Sequence, residues 1–141
     1  NHADELTPKV RAALARIARA GIPMLSQSVL LRGVNDDAET LAALFRALVG
    51  ARVKPYYLHQ GDLAPGTAHL RTSLEEGRAL VRALRGSVSG VCQPTYMLDI
   101  PGGHGKVPIG PDYLTRAPEG LLVEDPTGGR HPYPPIAGDE A

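Results

Sequence analysis

The sequence predicts an α/β fold in which helices cover a parallel sheet. Two observations carry this. Segments of helical period alternate with short apolar runs, in the order helix, strand, helix, strand, helix, strand. Each change of period is marked by a capping residue, Gly or Pro. Such a set is smaller than a closed eight-stranded barrel, so if it belongs to one, the first part of that barrel lies upstream.

Thr7 can cap the first helix, and Pro8 suits its first position. Val10, Ala13, Leu14, Ile17 and Ala18 recur at helical spacing, and Gly21 can end it. Pro23 to Arg32 reads as a buried strand. Gly33 to Asp37 is a turn into a second helix, with Leu41, Leu44, Phe45 and Leu48 as its buried stripe and Gly50 as its stop. The next strand is expected at about Val53 to His59, with Pro55 tolerated only near its start or on an unpaired edge. Gln60 to Arg71 is a loop. Thr72-Ser73-Leu74-Glu75 reads as a capping box for a third helix, supported by Ala79, Leu80, Ala83 and Leu84 and closed by Gly86. A third strand runs from about Pro94 to Ile100, and a glycine-rich turn follows at once. From Thr115 onward Pro118, Pro126, Gly128, Gly129, Pro132, Pro134 and Pro135 predict an irregular tail. The expected division is thus residues 1–114 and a Pro/Gly-rich tail, 115–141.

The bulk numbers narrow the function classes. The chain has 141 residues, of which 43% are hydrophobic and 21% charged, enough for one modest core. Lys+Arg and Asp+Glu are both 15, which gives no reason to expect nucleic acid or a membrane surface as partner. No apolar run approaches the roughly 20 residues of a membrane span. The first residues are not a signal peptide. The single cysteine, Cys92, rules out an internal disulfide framework and suits a reducing cytoplasm. The chain does not start with Met, so it is expected to begin within a longer protein.

In parallel α/β folds, chemistry gathers at the C-terminal ends of strands. Asp62 follows the second strand, Asp99 ends the third, and Lys106 lies beyond it in Pro101-Gly102-Gly103-His104-Gly105-Lys106. The glycines let a ligand approach the backbone, and such turns can cradle an anion. A nucleotide phosphate loop does not fit: Ile100 stands where its first Gly belongs, and Val107 where Ser/Thr belongs. Spacing alone leaves a solvated lysine after a tight turn equally open. Asp62, beside Gly61, is an ordinary turn residue on the same terms. Asp99 ends an apolar strand, where a carboxylate is costly unless a cation or donors meet it. Two carboxylates on one pocket favour a cationic ligand; Lys106 is the internal alternative. The five histidines show no ligand spacing, and no nucleophile elbow occurs. Tyr56 and Tyr57 read as packing.

Asn1-His2…Glu5-Leu6-Thr7, the run Gln27 to Asp36, Pro55-Tyr56-Tyr57-Leu58 and Pro101 to Lys106 together resemble the lysine 2,3-aminomutase family, over about residues 1 to 114. Any one motif is weak; the ordered set is specific. The resemblance implies a partial (β/α) TIM-like barrel, of which this chain is the C-terminal portion. It implies a radical S-adenosylmethionine isomerase that uses pyridoxal 5'-phosphate and a [4Fe-4S] cluster to move the amino group of L-lysine from C2 to C3, giving β-lysine. By resemblance Lys106 forms the internal aldimine, Asp62 and Asp99 bind the side-chain ammonium, and Gln27 lies near S-adenosylmethionine. An electron donor for the cluster and a small-molecule amino acid are the implied partners. There are departures. The Cys-x-x-x-Cys-x-x-Cys cluster motif and the arginines for phosphate and carboxylate are expected upstream. His59 replaces a family Tyr, Gly61 a Cys and His104 a Gly; C-terminal cysteines that some members use for interchain zinc are missing. Two alternatives stay open: a family-fold binding or regulatory module without catalysis, and the branch that supplies β-lysine for elongation factor P modification.

Overall fold

The computed structural model describes residues 1–118 and 120–133, in two compact units, residues 1–110 and 111–141. In the first, α1 (Pro8–Arg19), β1 (Met24–Val29), α2 (Ala38–Gly50), β2 (Val53–His59), α3 (Leu74–Ser87), β3 (Thr95–Asp99) and β4 (Lys106–Pro108) follow in order. Strands β1, β2 and β3 are parallel neighbours, as the alternating pattern predicts. β4 adds an antiparallel edge to β3. Among the described residues this sheet does not close on itself. The α/β class and the parallel strands stand, and a closed barrel is not formed.

Local chemistry explains most boundaries. Thr7 Oγ1 accepts from Val10 N at 3.3 Å, and Pro8 opens α1. Asp37 Oδ1 accepts from Thr40 N at 2.8 Å and starts α2. Pro55 is tolerated because pairing with β3 begins only at Tyr57, and the β1–β2 register shifts right after it, where Tyr56 is skipped. The core lies between this sheet and α2 and α3, with Leu30, Leu41, Phe45, Leu58, Leu84 and Tyr96 fully buried.

Several expectations need correction. The capping box of α3 is Ser73 with Glu76, one residue later than expected, because both reciprocal hydrogen bonds form there, at 3.1 and 2.6 Å. Gly86 lies inside α3, and Ala79 and Ala83 are exposed; the buried face is Gly77, Val81 and Leu84. Gly50 is the last residue of α2 rather than its left-handed stop; that conformation falls on Arg52, at φ 60°. No residue of α1 is fully buried, although Leu14 packs against the core.

The irregular tail is also corrected. In the second unit β5 (Leu114–Ala117), β6 (Gly120–Glu124) and β7 (Arg130–Tyr133) form an antiparallel meander. Pro126 falls in the β6–β7 turn and Pro132 on the edge strand β7, positions that need no central-strand N–H. Asp125 organises that turn, accepting from Thr127 N at 2.8 Å, Gly129 N at 3.0 Å and Thr127 Oγ1 at 2.7 Å. Its second oxygen meets His131 Nε2 at 2.7 Å, and these bonds, that to His131 foremost, hold the carboxyl well below its ordinary range. Pro134 and Pro135 lie outside the described residues.

Candidate functional site

The C-terminal ends of β1, β2 and β3 form one rim. β1 brings Gln27, β2 brings Tyr57 and His59, and β3 ends on Asp99. Tyr57 and His59 are two apart on one strand and so point to the same face. The glycine-rich run is a hairpin loop. Ile100 N donates to Gly105 O at 2.8 Å, and Asp99 faces Lys106 in the β3–β4 register. Gly102, Gly103 and Gly105 all have φ near +80 to +90°, which side chains other than glycine rarely adopt. The loop thus returns Lys106 to Asp99, the internal partner that the sequence left open beside a solvated lysine.

The side chains link in series. Gln27 Oε1 lies 3.0 Å from His59 Nε2, and His59 Nδ1 lies 3.0 Å from Asp99 Oδ2. Asp99 Oδ1 lies 3.4 Å from Lys106 Nζ. The same Nζ stands 5.9 Å over the Tyr57 ring, and Tyr57 Oη hydrogen-bonds Tyr56 Oη at 3.0 Å. Desolvation pushes the Asp99 carboxyl up, but the hydrogen bonds and charges of His59 and Lys106 outweigh it and hold it below its ordinary value. Asp99 is therefore ionised at neutral pH.

Asp62 reaches the site from another direction. Gln60, just past β2, is buried and pinned three ways: its N donates to Met97 O at 2.8 Å, its Nε2 donates to Thr72 O at 2.7 Å, and its Oε1 accepts from Tyr96 Oη. Arg71 Nε donates to Asp62 O at 3.1 Å. These bonds fix the loop so that Asp62 and Asp99 line one open cleft of about 620 Å³, with Leu63, Ile100, Gly103 and Gly105. The Asp62 carboxylate has no ion pair among the described residues, whereas Asp99 has two. Asp62, Asp99 and Lys106 thus stand on the rim where the sequence places them, and Gln27 lies on the same rim. The sequence reading missed His59 as the bridge and set Tyr57 down to packing. Strand alternation, which puts both on one face of β2, was the available signal; that Gln27 and Asp99 share that face depends on the register between strands.

No group of three or more His, Cys, Asp or Glu residues among the described residues could hold a metal ion, and Cys92 is buried. No helix among the described residues is long and apolar enough to cross a membrane.

A lysine held by a glycine hairpin beside an aspartate-lined cleft, on the C-terminal rim of a parallel sheet, lies where α/β proteins commonly bind small molecules. A sequence profile described as Lysine-2,3-aminomutase matches residues 81–125, which include Asp99 and Lys106. A putative L-lysine 2,3-aminomutase of Aquifex aeolicus is 47% identical over 116 residues, 82% of this chain and 31% of the relative. The L-lysine 2,3-aminomutase of Clostridium subterminale is 46% identical over 114 residues, 81% of this chain and 27% of the relative. A glutamate 2,3-aminomutase of Clostridioides difficile is 41% identical over 114 residues, 81% of this chain and 27% of the relative. The resemblance to the lysine 2,3-aminomutase family therefore holds over most of the chain, which spans less than a third of the length of these relatives.

Proposed function

We propose that this chain is the substrate-binding, cofactor-lysine part of a radical S-adenosylmethionine, pyridoxal-phosphate-dependent aminomutase that converts L-lysine to β-lysine. The observation that carries the reading is the shared cleft of Asp62 and Asp99, with Lys106 at 3.4 Å from Asp99. In this reading residues 1–114 are the C-terminal half of a partial (β/α) barrel, and the enzyme works in the cytoplasm with an electron donor for its cluster.

The residues suit the cofactor. Lys106 presents a half-exposed amine at the start of β4, and the loop just before it is open, since a Cβ added at Gly103 or Gly105 would meet nothing within 4 Å. Lys106 would hold pyridoxal phosphate through Nζ, and the cofactor when bound delocalises an unpaired electron. Asp62 and Asp99 would hold the distal ammonium of the substrate and so fix which of its carbons is presented to the cofactors. Both being carboxylates favours a diamino acid such as lysine over glutamate, whose side chain would be repelled. Gln27, exposed on the same rim, is where S-adenosylmethionine would approach. An iron–sulfur cluster needs several thiolates, and buried, solitary Cys92 does not fit it.

Replacing Lys106 with Ala in the intact protein is expected to abolish the visible absorbance of lysine-bound pyridoxal phosphate. An unchanged spectrum would overturn the reading.

A further inference from the structure

His59 carries an inference that goes beyond these roles. Its ring is largely buried at the centre of the rim, 14% exposed, with a different partner on each nitrogen. An ionised carboxylate can only accept hydrogen bonds, so the 3.0 Å contact with Asp99 requires the proton on Nδ1. This is the less common tautomer of a free imidazole. Once Nδ1 is protonated, Nε2 has two possible states. As a donor, on the imidazolium, it meets Gln27 Oε1 as placed. As a bare acceptor, on the neutral ring, it needs the amide of Gln27 turned over, and the two orientations are nearly isosteric.

The groups facing the ring are few. They are Gln27 from β1, the Tyr57 ring edge-on at 5.6 Å from β2, Asp99 from β3 and, through the other Asp99 oxygen, Lys106 from β4. Lys106 is the cation that the proposed cofactor would engage, which leaves His59 as the fixed partner of Asp99 on the protein side.

We propose that His59 is a positioning residue: its Nδ1–H fixes the Asp99 carboxylate so that the remaining lone pairs face the cleft and its cationic substrate, and its Nε2 ties the Gln27 amide to the same unit. The effect on substrate rests on the aminomutase reading; the proton placement does not.

The test uses the intact protein labelled with ring-15N histidine. The His59 Nδ1 is expected to be protonated at neutral pH, and Asp99→Ala is expected to move the proton to Nε2. A wild-type His59 without a proton on Nδ1, or one indifferent to Asp99→Ala, would overturn the proposal. In parallel, His59→Phe is expected to raise KM for L-lysine about tenfold and lower kcat much less, because it removes ground-state positioning rather than a reacting group. His59→Asn, whose side-chain N–H stands where Nδ1 stood, is expected to restore most of the loss. An unchanged KM in His59→Phe, with wild-type turning lysine over, would also overturn it. A protein that neither binds pyridoxal phosphate at Lys106 nor turns lysine over defeats the aminomutase reading, and the labelled spectra still decide the His59 proposal.

Discussion

At the scale of single residues, Asp99 is the most constrained group on the rim. It joins a strand end, an imidazole and a lysine, and its carboxyl lies below its ordinary value of 3.8. A carboxyl lowered by folding adds stability above its unfolded pKa and loses it as pH falls through the folded value. The expected outcome is therefore directional. Asp99→Asn is less stable than wild type at neutral pH, and the gap closes as pH drops below about 4. Urea midpoints across pH 2 to 7 check this; a gap that widens on acidification contradicts it. Asp62 provides the contrast. It lies in the same cleft without an ion pair among the described residues, so it is the freer of the two carboxylates for an incoming cation.

At the scale of elements, α3 is fitted to the sheet through a single missing side chain. Gly77 faces the ring of Tyr96 on β3, and a Cβ there would overlap Tyr96 Oη and lie 2.5 Å from Cζ. Tyr96 is 1% exposed, burial pushes its phenol up to about 12, and its hydroxyl holds Gln60, the anchor of the Asp62 loop. Neither ring nor helix can give way cheaply. Gly77→Ala is expected to destabilise by roughly 3 kcal/mol despite the better helix propensity of Ala, the cost of overpacking a filled core. The lower thermal midpoint is expected to come with weaker lysine binding in the proposed enzyme, because the Asp62 loop hangs from the same contact. A neutral or stabilising result would show that α3 shifts freely on the sheet.

At the scale of the whole molecule, β1 is an edge strand of the parallel sheet, and its Leu25 is 59% exposed. Parallel strands are ordinarily covered on both sides. The 141-residue chain on its own is expected to associate and dissolve poorly, read by light scattering after size exclusion; a monomer that unfolds cooperatively contradicts this. The sequence by itself determined the alternating elements, the parallel order of β1 to β3 and the rim that carries Asp62, Asp99 and Lys106. Those features rest on period, capping and strand ends, which are local. It misread the region after Thr115, because prolines at a turn and on an edge strand look the same in sequence as prolines that break structure. Tertiary structure alone decided that Gly77 faces Tyr96, that the glycine loop folds Lys106 back onto Asp99, and that His59 bridges Gln27 and Asp99. Each depends on the register between strands far apart in the chain, and register is a packing outcome that no local pattern encodes.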